Sequence, residues 1–205
     1  MPVQTFTAIV GVAKQASKGT LAANPTFAHG VTGGSPIQVE ASQSAIEVTA
    51  GKRAQYNVFR ESVANGSTIE TLAYLKSLGL YLYGALGSVT SVAGTPNTHT
   101  YATGDLPYLS IFTKGIGADN EAIRDCKVDE LTLKWDGSKP VSVSVKLNGT
   151  VFSYPATFSA TTDDTGVESF LIPVGGTFSL DVIGSTNVSA RVVGGELTIK
   201  NNITP

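Results

Sequence analysis

Two histidines, one cysteine and two adjacent aspartates are the side chains of this chain whose types most often carry catalysis or metal binding. His29 and His99 lie 70 positions apart, and neither has a second ligand at a metal-binding interval. Cys126 has basic neighbours, which favour a thiolate, but no histidine base lies near it in the sequence. Asp163 and Asp164 would point to opposite faces of a strand. These residues predict no catalytic centre and no metal site.

The short sequence motifs of larger active sites are missing as well. The chain has no G-x-S-x-G, no phosphate loop ending in G-K-[ST] and no H-E-x-x-H. Gly51-Lys52-Arg53 lacks both the earlier glycine and the hydroxyl residue of a phosphate loop. We therefore predict a protein that is not an enzyme and that needs no cofactor.

The composition of the chain argues against tight DNA binding and against a membrane-spanning helix. Charged residues make up 15% of the sequence and the formal net charge is −2, whereas soluble domains carry about 25% charged residues. The few basic residues are scattered, which argues against tight DNA binding. No run of about 18 apolar residues occurs, so the sequence predicts no membrane-spanning helix. Residues 1–15 do not resemble a secretory signal, so we expect synthesis in a cytosol.

The clearest structural element is a hairpin in the third quarter of the chain. Val141, Val143, Val145 and Leu147 alternate with polar residues, which predicts a strand with one buried face. Its partner is predicted over 127–135, with Val128 one step out of phase at a bulge. Similar alternation recurs at 5–12, 37–48, 53–60, 178–182, 188–192 and 197–199. The pattern predicts a mainly-β, antiparallel sandwich or barrel.

One segment has the period of a helix. Leu72, Leu75, Leu78, Leu82 and Leu86 recur at three- and four-residue steps, which predicts a helix from about Thr71 to Leu86 that ends at Gly87. Two readings of its start stay open. Ser67 and Glu70 could form a capping box, or 67–73 could be a strand that runs into the helix.

Two stretches, 14–36 and 88–107, are rich in Gly, Thr, Ser, Asn and Pro, and we predict both as extended loops of a single domain that spans 1–205. Loops of this length usually have a function. In an oligomer they would be arms that reach a neighbouring copy.

The order of several segments resembles one known family. Gly84-Ala85-Leu86-Gly87-Ser88-Val89 closes the helix, and a loop with Thr98-His99-Thr100 follows. Next come 106–111 (LPYLSI), 125–133 (DCKVDELTL), the valine-striped strand that ends in Lys146-Leu147-Asn148-Gly149, and 195–202 (GELTIKNN). This order resembles the major tail proteins, or tail tube proteins, of long-tailed bacteriophages over roughly 66–202. Family members often have glycine before the cysteine, where this chain has Asp125.

The resemblance implies a structural virion protein rather than an enzyme. Such proteins are β-sandwiches with a flanking helix, and six copies close into a ring whose inner strands form one large barrel. Rings stack into the tail tube, the conduit through which the genome leaves for the host. The implied partners are further copies of the chain, the tail tip or baseplate, the tape measure protein and the tail terminator. DNA would pass through the lumen without specific binding, and no membrane is implied.

The resemblance also suggests where assembly residues lie. Residues 1–103 carry 6 basic and 4 acidic side chains, and residues 104–205 carry 8 and 12, so the halves have charges of +2 and −4. A basic lumen would hold DNA, so we expect a neutral or acidic wall. The lumen-facing candidates are Glu40, Glu47, Asp129 and Glu130. The candidates for contacts between subunits are Thr20, Asn24, Pro25, Phe27, Thr95, Asn97, His99 and Tyr101.

Two other readings fit a chain without catalytic residues. One is a different virion component, such as a capsid decoration or head-to-tail joining protein. The other is a carbohydrate-binding or adhesin sandwich, which would carry clustered exposed aromatic residues and a secretory signal. Imaging of the purified protein and a glycan-binding screen separate these readings from a tail tube.

Overall fold

A computed structural model of the chain describes residues 9–48, 55–95, 97–114, 120–137, 139–159, 171, 178–180, 188–190 and 194–203. For 40–48, 55–64, 178–180 and 188–190, only the backbone enters the description below.

Within these residues the chain forms thirteen strands and one helix, which confirms the predicted mainly-β fold with a single flanking helix. The elements are β1 (Ile9–Lys14), β2 (Phe27–Gly30), β3 (Gly33–Val48), β4 (Gln55–Leu72), α1 (Leu75–Leu86), β5 (Gly87–Val92), β6 (Thr98–Thr103), β7 (Leu109–Lys114), β8 (Glu121–Asp136), β9 (Ser142–Gly149), β10 (Val151–Ser153), β11 (Phe178–Leu180), β12 (Val188–Ala190) and β13 (Gly194–Lys200).

Strand β8 connects two halves of one antiparallel sheet. Its first residues pair with β7 and β10, and its later residues pair with β9 and β13. The main strand order is β2-β1-β7-β8-β9-β4-β3. One half contributes side chains such as Val12 and Ile111 to the core, and the other contributes Leu131 and Val145. The core therefore lies between the two halves, with α1 packed against it through Tyr81 and Ala85.

The predicted hairpin is confirmed in its pairing and its irregularity. Val143, Val145 and Leu147 of β9 are buried and pair opposite Leu133, Leu131 and Val128 of β8. The register shifts between Val128 and Glu130, so Asp129 is the extra residue of a bulge.

Helix α1 begins later than its leucine period predicts. The prediction of a start at Thr71 was wrong, because Thr71 and Leu72 pair with β9 as the last residues of β4. Tyr74 is the N-cap, and it has an extended backbone and no side-chain cap. The alternative of a strand running into the helix is confirmed. The end is as predicted: Gly87 adopts φ 95 and its N–H donates to the carbonyl of Tyr83.

Close packing of α1 onto the sheet depends on Gly84. A Cβ at this position would lie 2.9 Å from Cγ2 of Val128 and 3.0 Å from Cδ1 of Leu109. The absence of a side chain lets the helix backbone approach β7 and β8. Helix propensity, which disfavours glycine by about 1 kcal/mol, is overridden here by tertiary packing.

Both predicted loops contain strands, so that part of the prediction was wrong. The stretch 88–107 contains most of β5 and all of β6, which pair with each other as a separate two-stranded sheet. The stretch 14–36 contains β2 and the start of β3, so the connections within it are 15–26 and 31–32. Composition failed because Thr, Ser and Val suit an exposed strand as well as they suit a loop.

Candidate functional site

A broad polar face covers the outer side of the sheet half formed by β4, β9, β8 and β13. Strand side chains alternate between faces, so residues adjacent in register to the core positions point away from the core. We call this face the polar wall. Its members are Thr68, Glu70, Ser142, Ser144, Lys146, Glu130, Thr132, Lys134, Glu196, Thr198 and Lys200.

Opposite charges alternate across the strands of the polar wall. Glu130 lies between Lys200 and Lys146 in the register, and its Oε2 is 3.6 Å from Nζ of Lys200. Glu196 is opposite Lys134 on the neighbouring strand. Together with Glu70, these side chains make three lysines and three glutamates, so the wall carries no net charge. The hydroxyls of Thr132 and Thr198 lie 3.1 Å apart between the charged rows.

Two of the four predicted lumen residues lie side by side, and the other two lie on a different part of the fold. Glu130 is on the polar wall. Asp129, in the β8 bulge, is only 16% exposed at its side chain: Oδ1 accepts a hydrogen bond from the N–H of Ile203 at 2.8 Å, and Oδ2 lies 3.6 Å from Nζ of Lys146. Glu40 and Glu47 lie on β3 where it pairs with β4 beyond the end of β9.

Three of the predicted contact residues come together at one groove. Phe27, His99 and Tyr101 line a groove of about 460 Å³ between α1, β2 and the β5–β6 sheet. Nδ1 of His99 lies 2.8 Å from Oγ of Ser91. Partial burial raises the pKa of Tyr101, whose hydroxyl lies against Gly79 of α1. This brings the two predicted contact stretches into one surface.

Charge is scarce around this groove: Lys76 of α1 is part of the lining, and the other lining residues are uncharged. No Asp, Glu, Lys or Arg occurs in 19–39 or in 77–104, and these two stretches supply most of the groove lining. Val89 and Val92 of β5 are 39% and 61% exposed. Depletion of charge with exposed apolar side chains is the composition of protein interface cores.

The remaining contact candidates are spread over two turns. Thr20, Asn24 and Pro25 lie between β1 and β2, and Pro25 is buried against Gly11. Thr95 and Asn97 lie in the exposed turn between β5 and β6, where the side chain of Asn97 accepts a hydrogen bond from the N–H of Gly94.

A buried polar cluster holds α1 to β2 and β4, and sequence reasoning did not find it. His29 Nε2 lies 2.6 Å from the hydroxyl of Tyr81, and Nδ1 lies 2.9 Å from the carbonyl of Gly30. Thr71 donates to the same carbonyl at 2.8 Å. Burial lowers the pKa of His29, so the ring is neutral: Nδ1–H donates to Gly30 and Nε2 accepts from Tyr81. No spacing in the sequence indicates these partners.

Nucleophilic and metal chemistry have no site among the described residues. Cys126 is buried and unpaired, and burial together with the neighbouring Asp125 raises its pKa to about 12, so the thiol stays protonated. No group of three or more His, Cys, Asp or Glu side chains converges in the part of the chain that the structure describes. In the same part, no helix is long and apolar enough to cross a membrane.

The fold, the polar wall and the mostly apolar groove describe a structural subunit, and comparison with protein families agrees. A model of the phage tail tube protein family matches residues 5–205. The chain belongs to this family. It is therefore a structural component of the virion tail. Among curated proteins, no sequence matches the chain.

The sequence departs from the pattern of the tail tube family at Asp125, and the structure shows what this residue contacts. Asp125 stands where family members often have glycine, and its φ is 58, in the left-handed region that glycine adopts at little cost. Its Oδ1 accepts from the N–H of Gly19 and its Oδ2 accepts from the hydroxyl of Thr150 at 3.1 Å. Its own N–H donates to the side chain of Gln15. In this tail tube protein the strained residue also anchors the β1–β2 connection.

Proposed function

We propose that this tail tube protein closes into six-membered rings, that the rings stack into a tube, and that the viral genome passes through the tube into the host. The protein acts through assembly and has no catalytic role. Along the tube its partners are further copies of itself. At the ends of the tube its partners are the tail tip or baseplate and the tail terminator, and before ejection the lumen holds the tape measure protein.

The observation that carries the proposal is the polar wall. A duplex carries one negative charge per about 1.7 Å of its axis, so unpaired lysines on a channel wall would bind it. On this wall each row of lysines has glutamates beside it, and hydroxyl groups fill the spaces between. A surface of this kind stays hydrated and offers DNA no net attraction. We assign the lumen to this face, which includes Glu130.

The mostly apolar groove supports a second role, the contact between subunits or rings. Its apolar side chains are exposed on a single copy and would be covered in an assembly. Phe27, His99 and Tyr101 are the members of the predicted contact set that we retain at this surface. The assignment of Thr20, Asn24, Pro25, Thr95 and Asn97 to contacts remains a prediction.

Negative-stain imaging of the purified protein tests the assembly itself. We expect tubes or six-membered rings at high protein concentration. Material that stays monomeric and compact at every concentration, or that binds only to capsids, would contradict the proposal and favour a decoration or head-to-tail joining protein. Saturable binding in a glycan screen would favour an adhesin.

The lumen assignment is tested by reversing one charge. Glu130→Lys places three lysines in one row of the polar wall, because Glu130 lies between Lys200 and Lys146. Asp105→Lys makes the same charge change at an exposed position after β6, away from the wall. We expect both variants to form tubes, and only Glu130→Lys tubes to retain a short fluorescent duplex at low salt and release it at high salt. Equal retention by Asp105→Lys tubes would show that the wall does not face the channel.

The groove is tested by a matched pair on β5. Val89 lines the groove, whereas Thr90 points to the other side of the same strand. Because a buried unpaired charge is costly, Val89→Lys should give a folded protein that does not assemble, and Thr90→Lys should assemble. Circular dichroism confirms folding of each variant. Assembly of Val89→Lys at the wild-type concentration would remove the groove from the contact surface.

A further inference from the structure

The sheet half that bears the polar wall ends in two open strands. Its strands run in the order β13-β8-β9-β4-β3, and every neighbouring pair is antiparallel. Among the described residues, β13 pairs only with β8, and β3 pairs only with β4. Within the described part of the chain, each strand therefore has one side whose backbone N–H and C=O groups lie at the sheet edge, where another chain can pair with them.

The two open strands point in the same direction, because four antiparallel steps separate the first strand from the fifth. In a closed ring every copy has the same orientation relative to the axis, and the contact joins two different surfaces of the subunit. We propose that β13 of one copy pairs with β3 of the next copy, and that this seam is a parallel ladder within an otherwise antiparallel wall. The inference rests on the proposed ring assembly and names its partner strands.

Side chains on the core side of both open strands support a second copy as the occupant. Leu197 of β13 is opposite Leu133 in the register, and it is 49% exposed although it faces the core side. Val39 of β3 is opposite the buried Asn65 on the same side of the sheet and is 42% exposed. The apolar layer is thus incomplete at both ends of the sheet, and one seam would cover both side chains.

Charges on the outer side of the two strands permit the same contact. Near the start of β3 the outward residues are Ser35 and Gln38, which are uncharged and exposed. On β13 they are Glu196, Thr198 and Lys200. Ser35 and Gln38 bring no like charge to β13, and their uncharged side chains can accept hydrogen bonds from Lys200 or donate them to Glu196.

Disulfide scanning tests the polarity of the seam. One cysteine replaces Ser35 or Gln38, and a second replaces Glu196, Thr198 or Lys200, in six double variants of the full chain. The two open strands of one copy lie four strand spacings apart, about 19 Å, which is too far for a disulfide within a copy. Crosslinks formed with copper phenanthroline as oxidant therefore report on neighbours. Single-cysteine variants are the controls, and Cys126 is buried.

The direction in which the best crosslinking partner moves along β13 distinguishes a parallel seam from an antiparallel one. The exact register of the seam does not need to be known. Because of a bulge, Ser35 and Gln38 are successive outward positions of β3. In a parallel seam, moving the cysteine from Ser35 to Gln38 moves the best partner two residues toward the C-terminus of β13. Movement toward the N-terminus, or crosslinks absent from variants that still form tubes, overturns the parallel seam and leaves the ring assembly standing.

A second pair of variants tests the apolar layer. Leu197→Asp should give a folded protein with ring formation reduced at least about tenfold, because an aspartate would be buried without a partner. Leu197→Met should assemble like the wild type. Normal rings from Leu197→Asp would show that β13 is not at the seam. A wild-type protein that forms no ring under any condition would instead overturn the proposed function, and the seam with it.

Discussion

Replacing Asp125 by glycine sets two energetic effects of opposite sign against each other. The residue lies within β8 with φ 58, a conformation that costs an L-residue about 1–2 kcal/mol and costs glycine almost nothing. The substitution therefore relieves backbone strain and introduces glycine, the residue that family members often have before the cysteine. It also removes the carboxylate that accepts hydrogen bonds from the N–H of Gly19 and the hydroxyl of Thr150.

The lost hydrogen bonds should outweigh the relieved strain. Asp125 is 7% exposed, so its bonds are only weakly screened, and a hydrogen bond to a charged group contributes about 1.5–3 kcal/mol. Two such bonds exceed the strain, and glycine adds freedom to the unfolded chain worth about 0.5–1 kcal/mol. We expect Asp125→Gly to lower the free energy of unfolding by about 2–4 kcal/mol.

Urea unfolding of unassembled protein, followed by tryptophan fluorescence, measures this change. Asp125→Asn is the matched control, because asparagine tolerates the left-handed region and keeps one acceptor oxygen. It should lose less stability than Asp125→Gly. Proteolysis should cut 15–26 faster in the glycine variant, since Gly19 loses its anchor. A glycine variant as stable as the wild type would refute the reasoning. It would show that the relieved backbone strain at position 125 offsets the lost hydrogen bonds.

Three further outcomes follow from the packing of α1 and of the segment after β13. Gly84→Ala should destabilise the protein by about 1–3 kcal/mol because the new methyl meets β7 and β8, whereas Gly79→Ala should cost less, since only the end of a tyrosine side chain must move. Urea unfolding of both variants checks this. The pKa of His29 is lowered in the folded state, so its contribution is complete above about pH 6.5 and is lost as the pH falls below that value, by at most about 1.4 kcal/mol per unit. His29→Gln should flatten this pH dependence of unfolding. Nδ2 of Asn201 donates to the carbonyls of Ala85 and Val128, which would face a carboxylate in Asn201→Asp. We expect this variant to lose about 1–3 kcal/mol of stability, measured by thermal unfolding. An unchanged melting temperature would contradict this role of Asn201.

Alternation and family resemblance predicted most of the β-structure correctly. The β8–β9 hairpin could be predicted in detail because its valines alternate strictly and Val128 is visibly out of phase. The start of α1 could not be predicted, because leucine at position 72 fits both a helix period and the last residue of a strand. Only pairing with β9, a contact distant in sequence, decides between them.

The candidate site was predicted less completely for a related physical reason. Composition indicated interface residues in 14–36 and 88–107, and the structure brings three of them together at the groove. Their strand conformation was missed, because an exposed strand of Thr and Ser has no buried face to create alternation. The polar cluster around His29 and the anchor at Asp125 depend on partners more than 40 positions away. Neither leaves a pattern in the local sequence.

The segment that follows β13 connects the polar wall to α1. Its contacts hold the C-terminal end of β13 in place before a second copy pairs with it. The side chain of Asn201 bridges the last turn of α1 and the start of the β8 bulge, because Nδ2 donates to the carbonyls of Ala85 and Val128. Asp129 and Asn148 hold the next residues through the backbone of Ile203. With its C-terminal end fixed in this way, β13 loses little conformational entropy when a neighbour pairs with it. A seam built on a strand that is already ordered can form without large entropic cost, which is the property that the proposed ring closure requires.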